Sequence, residues 1–302
     1  VALPLWHLAR QRPVVTALVG TAARAVLVGR GEPPTGAAPS LPGPIASDRV
    51  SPRAPSLVRD YVRHVGGDPA AYHRSLPPHL FPQWTFPALA RTLRGLPYPV
   101  ASLVIGGCRL TVNGALPADA PLVVRAWLEG VDDDGRRAVL HQRVTTGPEA
   151  RPDAVVADVY AVLPSGRGPR REKAGRDPQF APASARELGY FRIPADAGAA
   201  FAMLTGDINP VHWSRRYARA LGFRRPILHG FSTLARAIEG LGRTVFAGAV
   251  ERLGVVDVRL TRPLLLPAEV GLYLGDDHNT FYVADAPGGP AYLIGTFAER
   301  AA

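Results

Sequence analysis

A carboxylate, a carboxamide and an imidazole crowd into one short stretch of this 302-residue chain, Thr205-Gly-Asp207-Ile-Asn209-Pro210-Val-His212. Asp207 and His212, brought to one point, can pass protons to and from a bound molecule, and a positioned acid or base contributes roughly 10²–10⁴-fold in rate. Asn209 can orient a side chain or a water. A second stretch, Leu228-His229-Gly230-Phe231, adds a different capability. If Gly230 opens a helix, its N–H has no intrahelical partner and lies at the positive end of the helix dipole, where it can receive a developing oxyanion. Such a donor lowers a barrier by about 3–4 kcal/mol, and glycine lets a substrate approach the backbone closely.

The flanking residues say which elements carry these groups. Ala197, Ala200, Phe201 and Leu204 recur at the spacing of a helix with one face on a core. That helix stops before Pro210, which lacks an N–H and disfavours the α region at Asn209, so Asp207, Asn209 and His212 are expected on a tight irregular turn. Beyond Pro226, the residues Phe231, Leu234, Ala235, Ile238 and Leu241 resume the helical period. This puts Gly230 at a helix start.

The segment from Gly206 to Gly230 resembles the signature of the MaoC-like, or hydratase 2, branch of the hotdog superfamily, the (R)-specific enoyl-thioester hydratases and dehydratases. Its turn reads Gly-Asp-x-Asn-Pro-x-His and its downstream helix opens with His-Gly, and all those positions are present here. The resemblance implies Asp207 and His212 as the catalytic pair, Asn209 as the orienting amide and the Gly230 N–H as the thioester oxyanion donor. It implies a hydro-lyase of fatty acid metabolism that adds water reversibly to trans-2-enoyl thioesters, giving (R)-3-hydroxyacyl thioesters. The substrate would ride on coenzyme A or acyl carrier protein. No metal, nucleotide or flavin is needed, so no cofactor is expected.

Plainer readings stand beside this one. Asp207 can simply cap a turn through local backbone hydrogen bonds. A metal held by Asp207, Asn209 and His212 lacks a further ligand, because no Cys or second His is spaced to complete the set. His229 is expected to be a structural histidine at the mouth of its helix. A hotdog thioesterase, or a non-catalytic acyl-binding or structural subunit, would use the same scaffold.

About half of the residues are hydrophobic, and the net charge of +10 rests on arginine, with Lys173 the only lysine. A basic surface favours anionic partners, but the arginines are scattered and no nucleic-acid motif accompanies them. Phosphate-bearing thioesters fit better than DNA. Arg215, Arg216, Arg224 and Arg225 lie near the turn and the His-Gly segment, where they can steer the phosphates of coenzyme A or an acidic carrier protein; a solvated helix face is the bland alternative. Cys108 is the single cysteine, so no intrachain disulfide can form and a reducing, cytoplasmic setting is expected. Val14 to Val28 is apolar, but Arg24 interrupts it and it is too short to cross a bilayer, which takes roughly 20 residues. A docking helix is expected there.

Residues Gly29 to Ser56 are rich in Pro, Gly, Ala and Ser and predict an irregular connection. Leu57, Val58, Tyr61, Val62 and Val65 predict a helix ending at Gly66-Gly67, followed by Asp68-Pro-Ala-Ala-Tyr-His73, whose aspartate and histidine are expected at a turn surface. Phe86 to Leu96 parallels Phe231 to Leu241, and Arg109-Leu-Thr parallels Arg259-Leu-Thr with a shared Leu-Pro-Ala further on. Two ordered matches argue for a duplicated domain. Runs at Pro121 to Gly130, Ala138 to Thr146 and Val155 to Leu163, and again at Val255 to Leu260, Val270 to Gly275, Thr280 to Ala284 and Ala291 to Phe297, alternate as antiparallel strands do. A helix and several strands per half suit an α+β double hotdog, each antiparallel sheet wrapped around a central helix.

The boundaries expected are residues 1–56 for the docking helix and connection, 57–163 for a degenerate hotdog, 164–187 for a solvated linker and 188–302 for the catalytic hotdog. Aligning Phe86 with Phe231 sets Trp84 and Thr85 against His229 and Gly230, so the first half is expected to be silent and to wall the acyl pocket. The whole would be a monomeric double hotdog or a homodimer.

Overall fold

The computed structural model describes residues 6–17, 20, 39–165 and 179–300. One antiparallel sheet of ten strands runs through the molecule in the order β1-β5-β6-β7-β3-β9-β12-β11-β10-β8, where β1 is Ala46–Val50, β3 Val104–Val112, β5 Leu122–Asp133, β6 Arg137–Gly147, β7 Val155–Pro164, β8 Arg186–Ile193, β9 Leu253–Leu260, β10 Ala268–Leu274, β11 Thr280–Ala284 and β12 Ala291–Glu299. A two-residue ladder, β2 (Ser75–Leu76) with β4 (Leu116–Pro117), stands apart. Every run of alternating residues foreseen in the sequence is a strand.

The two halves meet where β3 pairs with β9, Gly107 opposite Arg259 and Arg109 opposite Asp257. A Cβ on Gly107 would come within 2.6 Å of the Val258 carbonyl, so glycine permits this close seam. Arg109 reaches the Asp257 carboxylate across it at 3.1 Å. On each side the sheet wraps a helix, α3 (Pro82–Thr92) in the first half and α6 (Gly230–Thr244) in the second. Residues Phe231 to Gly242 of α6 are all buried, as expected of a helix surrounded by protein. One apolar core takes residues from both halves. The architecture is the α+β double hotdog.

The remaining helices are α1 (Trp6–Ala9), α2 (Pro55–His64), α4 (Ala197–Thr205) and α5 (Arg215–Ala220). The stripe Leu57, Tyr61 and Val62 is buried, and α2 ends at Gly66 with φ +86°. Residues 12–17 are helical and Val14 is buried; residues 18–19 and 21–28 of the expected docking helix lie outside the described part. No helix among the described residues is long and apolar enough to cross a membrane. Cys108 is buried, and burial pushes its thiol far above its ordinary value.

Four expectations need correction. Ala46–Val50, placed in an irregular connection, is an edge strand paired to β5 from Ala46 opposite Ala126 to Val50 opposite Leu122; a five-residue strand with only Val50 buried carries too little apolar alternation to be seen alone. Residues 179–184, placed in a solvated linker, are tied down: the Ala181 N–H donates to Gly289 O and the Ala291 N–H to Gln179 O, and Ala181 is buried beside Tyr273 and Ala291. Residues 166–178 of that linker lie outside the described part. The first central helix begins at Pro82, earlier than Phe86, and has ended by Thr92.

Finally, the register between the halves is not Phe86 to Phe231. The short 3-10 turns Val100–Ser102 and Val250–Arg252 precede β3 and β9 at the same spacing as Arg109 and Arg259. Leu116-Pro117 and Leu266-Pro267 keep that spacing, and carried back it sets Phe81 against Phe231 and His79 against His229. Contacts agree: the Phe81 and Phe231 rings meet edge to face at 5.2 Å, and Tyr61 stacks on His79 as Phe201 lies on His229. The Phe-x-x-Leu-Ala match was a coincidence of residues common in any amphipathic helix.

Candidate active site

Helix α4 ends at Gly206, whose φ of +83° suits glycine and turns the chain into Asp207. The N-terminal segment braces this corner. Gln11 donates to Leu204 O at 2.8 Å and accepts from Gln83 at 2.8 Å, and a Cβ on Gly206 would meet Val14 at 2.8 Å. Pro210 opens a 3-10 turn, Pro210–His212, and the Asn209 side-chain oxygen caps it by accepting from the Val211 N–H at 3.2 Å. Asn209 thus orients the turn itself through its amide oxygen.

His212 is aimed by the second stretch. Its Nδ1–H donates to Ile227 O at 2.9 Å, which leaves the Nε2 lone pair as the free basic atom. Ile227 is held in turn by a bridge to Leu265, and Leu228 N–H donates to Leu264 O at 2.7 Å. From the other side α4 presses close, since a Cβ on Gly198 would overlap the His212 carbonyl. No sequence pattern pointed to Ile227 or Gly198, because a main-chain carbonyl and a missing Cβ act only through tertiary contact.

His229 joins the two stretches at the mouth of its helix. It caps α6, its Nε2–H donates to Asp207 O at 3.1 Å, and its ring stacks on that of His212 with centroids 3.6 Å apart. The Asp207 carboxylate lies 3.8 Å from His229 Nε2, and one polar atom each from Asp207, His212 and His229 lies within 4.8 Å of the others. Thus a second histidine does complete a three-residue cluster of ligand type, contrary to the expectation. The hydrogen bonds fix its use: Nε2 of His229 and Nδ1 of His212 carry protons toward carbonyls, so neither offers a lone pair to a metal there.

Burial pushes the Asp207 carboxyl up and the His212 imidazole down, each partly opposed by the charge of the other. Burial and then His212 hold His229 well below its usual value. A neutral imidazole next to a carboxyl of raised affinity for protons is a pair poised to exchange one proton. Gly230, the first residue of α6, has an N–H without an intrahelical acceptor. A Cβ there would overlap Leu260, so the helix start is packed for glycine. Asp207, His212 and the Gly230 turn thus share one corner.

Beside it, Arg215, Arg219, Arg224 and Arg225 line a surface cavity of about 650 Å³ together with Phe223 and Leu265. Arg216, grouped with them in the sequence, is exposed and does not line it. Arg219, which follows the turn together with Arg215 and Arg216, lines it as well. In the first half, Asp68 caps the turn Pro69–Tyr72 through the Ala70 N–H, and Asp68 and His73 are exposed.

The double hotdog, with an acid–imidazole turn packed against the start of its second central helix, has counterparts among known proteins. Residues 172–277 match the family described as MaoC like domain. It is 27% identical over 178 residues to the peroxisomal enoyl-CoA hydratase 2 of Arabidopsis thaliana, a match covering 52% of this chain and 54% of that one. It is 28% identical over 196 residues to the enoyl-CoA hydratase ChsH3 of Mycobacterium tuberculosis, covering 62% of this chain and 63% of that one. The chain thus spans between half and two thirds of these curated relatives. The crystal structure of HtdX from Mycobacterium tuberculosis superposes with a TM-score of 0.65 at 20% identity, covering 85% of this chain and 100% of that one; it shows a shared fold.

Proposed function

We propose that the C-terminal half, residues 188–302, adds water reversibly to trans-2-enoyl thioesters and yields (R)-3-hydroxyacyl thioesters; two of the relatives are named as enoyl-CoA hydratases. The observation that carries this reading is the meeting of Asp207 and His212 with His229, the residue that precedes Gly230 at the start of α6. Asp207 and His212 hold one water between them. Its oxygen bonds to C3, one proton passes to the dyad, and a proton returns from the dyad to C2. As the C2–C3 π electrons shift toward the carbonyl, the thioester oxygen gains charge and the Gly230 N–H receives it. Dehydration runs the same steps backwards.

The first half, residues 57–163 with β1 at its edge, serves as scaffold and pocket wall. Its silence rests on Gly67, which follows a glycine of positive φ and comes before a proline-led 3-10 turn as Asp207 does, and brings no carboxylate. The arginine-lined cavity receives the phosphates of coenzyme A or of a carrier protein's pantetheine arm, a reading supported by the four arginines that line it.

Loss of enoyl absorbance in short, medium and long enoyl thioesters on both carriers, with thiol release followed in parallel, tests the activity. Hydration without thiol release is expected. Thiol release in place of hydration would replace this reading with a thioesterase.

A further inference from the structure

The first half holds a buried polar cluster that the proposed chemistry does not use. Glu239, in the middle of α6, accepts from the Tyr72 hydroxyl at 2.9 Å and from His79 Nε2–H at 3.1 Å. His79 faces the Tyr61 hydroxyl with its other nitrogen at 3.1 Å, and the Tyr61 hydroxyl donates to His79 O at 2.9 Å. Tyr61, Tyr72, His79 and Glu239 are all buried. Burial first, and the Glu239 charge second, raise the Tyr61 and Tyr72 phenols well above their usual value, which keeps both as neutral hydrogen-bond donors.

The position of this cluster is not arbitrary. His79 is the counterpart of His229, and Tyr61 covers it as Phe201 covers His229, with Tyr61 and Phe201 themselves in contact at 6.0 Å. Gly67 follows Gly66 (φ +86°) as Asp207 follows Gly206 (φ +83°). The first half therefore retains the frame of a second site, lacking its carboxylate. A Cβ on Gly67 would overlap the carboxylate of Glu239. The acid that Gly67 does not supply is supplied from the opposite half, in the same space.

We propose that Glu239 is a trans-supplied replacement for the lost aspartate, and that with His79 and Tyr72 it locks α6 against the first half and so positions Gly230. Glu239 and Gly230 share one helix and lie roughly 14 Å apart along its axis. A buried carboxylate with two donors resists displacement, because moving it leaves a charge unpaired inside the protein. Glu239 is a positioning residue: it acts through the helix, and its effect on turnover rests on the hydratase reading above.

The test is a cycle of four proteins: the native chain, Glu239→Ala, Gly67→Asp and the double variant. Glu239→Ala should lower the Tm by roughly 5–10 °C, as loss of one member of a buried pair does in a chain of this size. It should lower kcat about tenfold and leave KM within about twofold, the pattern of a misplaced group that acts in the transition state. Gly67→Asp alone should also lower the Tm, because two carboxylates contend for one space. The double variant should recover at least half of both losses, since Gly67 lacks a positive φ and accepts a side chain. Additive Tm losses would overturn the lock, and a recovered Tm with kcat still depressed would overturn the positioning. Should Glu239→Ala fail to fold, the cycle of Tyr72→Phe with Glu239→Gln replaces it; non-additive Tm losses support the lock and additive ones overturn it. Unfolding needs no turnover, so an inactive native chain would remove the hydratase reading and leave the lock to be judged by its own cycle.

Discussion

The imidazole of His229 lies almost flat on that of His212, centroids 3.6 Å apart and planes 25° apart, while its Nε2–H holds the carbonyl of Asp207. One buried ring thus contacts both members of the candidate dyad. It fixes where the carboxyl-bearing turn sits relative to the helix that begins one residue later.

If Asp207 and His212 share one water, removing either should disable the chemistry and spare the fold. Asp207→Asn and His212→Ala are each expected to lower kcat by about 10²–10⁴-fold. The double variant should lose little more than the worse single one, as groups that act as a unit do. Steady-state hydration rates alongside circular dichroism check this. Near-normal rates in both single variants would defeat the assignment.

Gly230→Ala puts a methyl group into Leu260 and shifts the first turn of α6. A drop in kcat of roughly 10²–10³-fold is expected, the effect of losing one oxyanion donor. Adding Leu260→Ala should relieve the overlap and return part of the rate. Full activity in Gly230→Ala alone would show that this helix start need not be so tightly packed.

Gly198 lies far from Gly230 in sequence, yet its missing Cβ is what lets α4 touch the His212 backbone. Gly198→Ala should displace the His212 turn, lowering both Tm and kcat. A variant of native Tm and native kcat would mean that the turn has room to move.

Charge reversal at Arg215 and Arg224 should raise KM for coenzyme A thioesters several-fold at low salt and leave kcat nearly unchanged. The effect should shrink as salt is added, because exposed charges are screened within about 10 Å at 0.1 M. An unchanged KM at low salt would remove these arginines from substrate binding.

Stability should fall as the medium is acidified. Burial holds His229 well below 6.5 and His64 down at about 3. The unfolded chain takes up protons at these histidines near pH 6.5, and the folded one does not. Stability is therefore whole above about pH 6.5 and declines below it, by up to roughly 1.4 kcal/mol per pH unit for each histidine. Urea midpoints between pH 7 and pH 4.5 measure it. A midpoint independent of pH over that range would contradict these burials.

Much of the candidate site was written in local sequence. Pro210 and the glycine before Asp207 determine a turn by backbone sterics alone, and the spacing of Phe231, Leu234, Ile238 and Leu241 places a helix start at Gly230, because the 3.6-residue period belongs to the helix itself. Strand alternation and the Arg-Leu-Thr repeat likewise placed strands in both halves, since a period of two needs no knowledge of the partner.

What the sequence left open depends on groups remote in the chain. His229 became part of the cluster because α6 brings its ring onto that of His212, and Glu239 reached the first half's frame because the two central helices pack through a common core. The edge strand Ala46–Val50 needed β5 to exist at all. Ring stacking, a carbonyl aimed at an imidazole and a carboxylate filling the space over a glycine are contacts between surfaces. Such contacts have no period to read, and only the folded chain decides them.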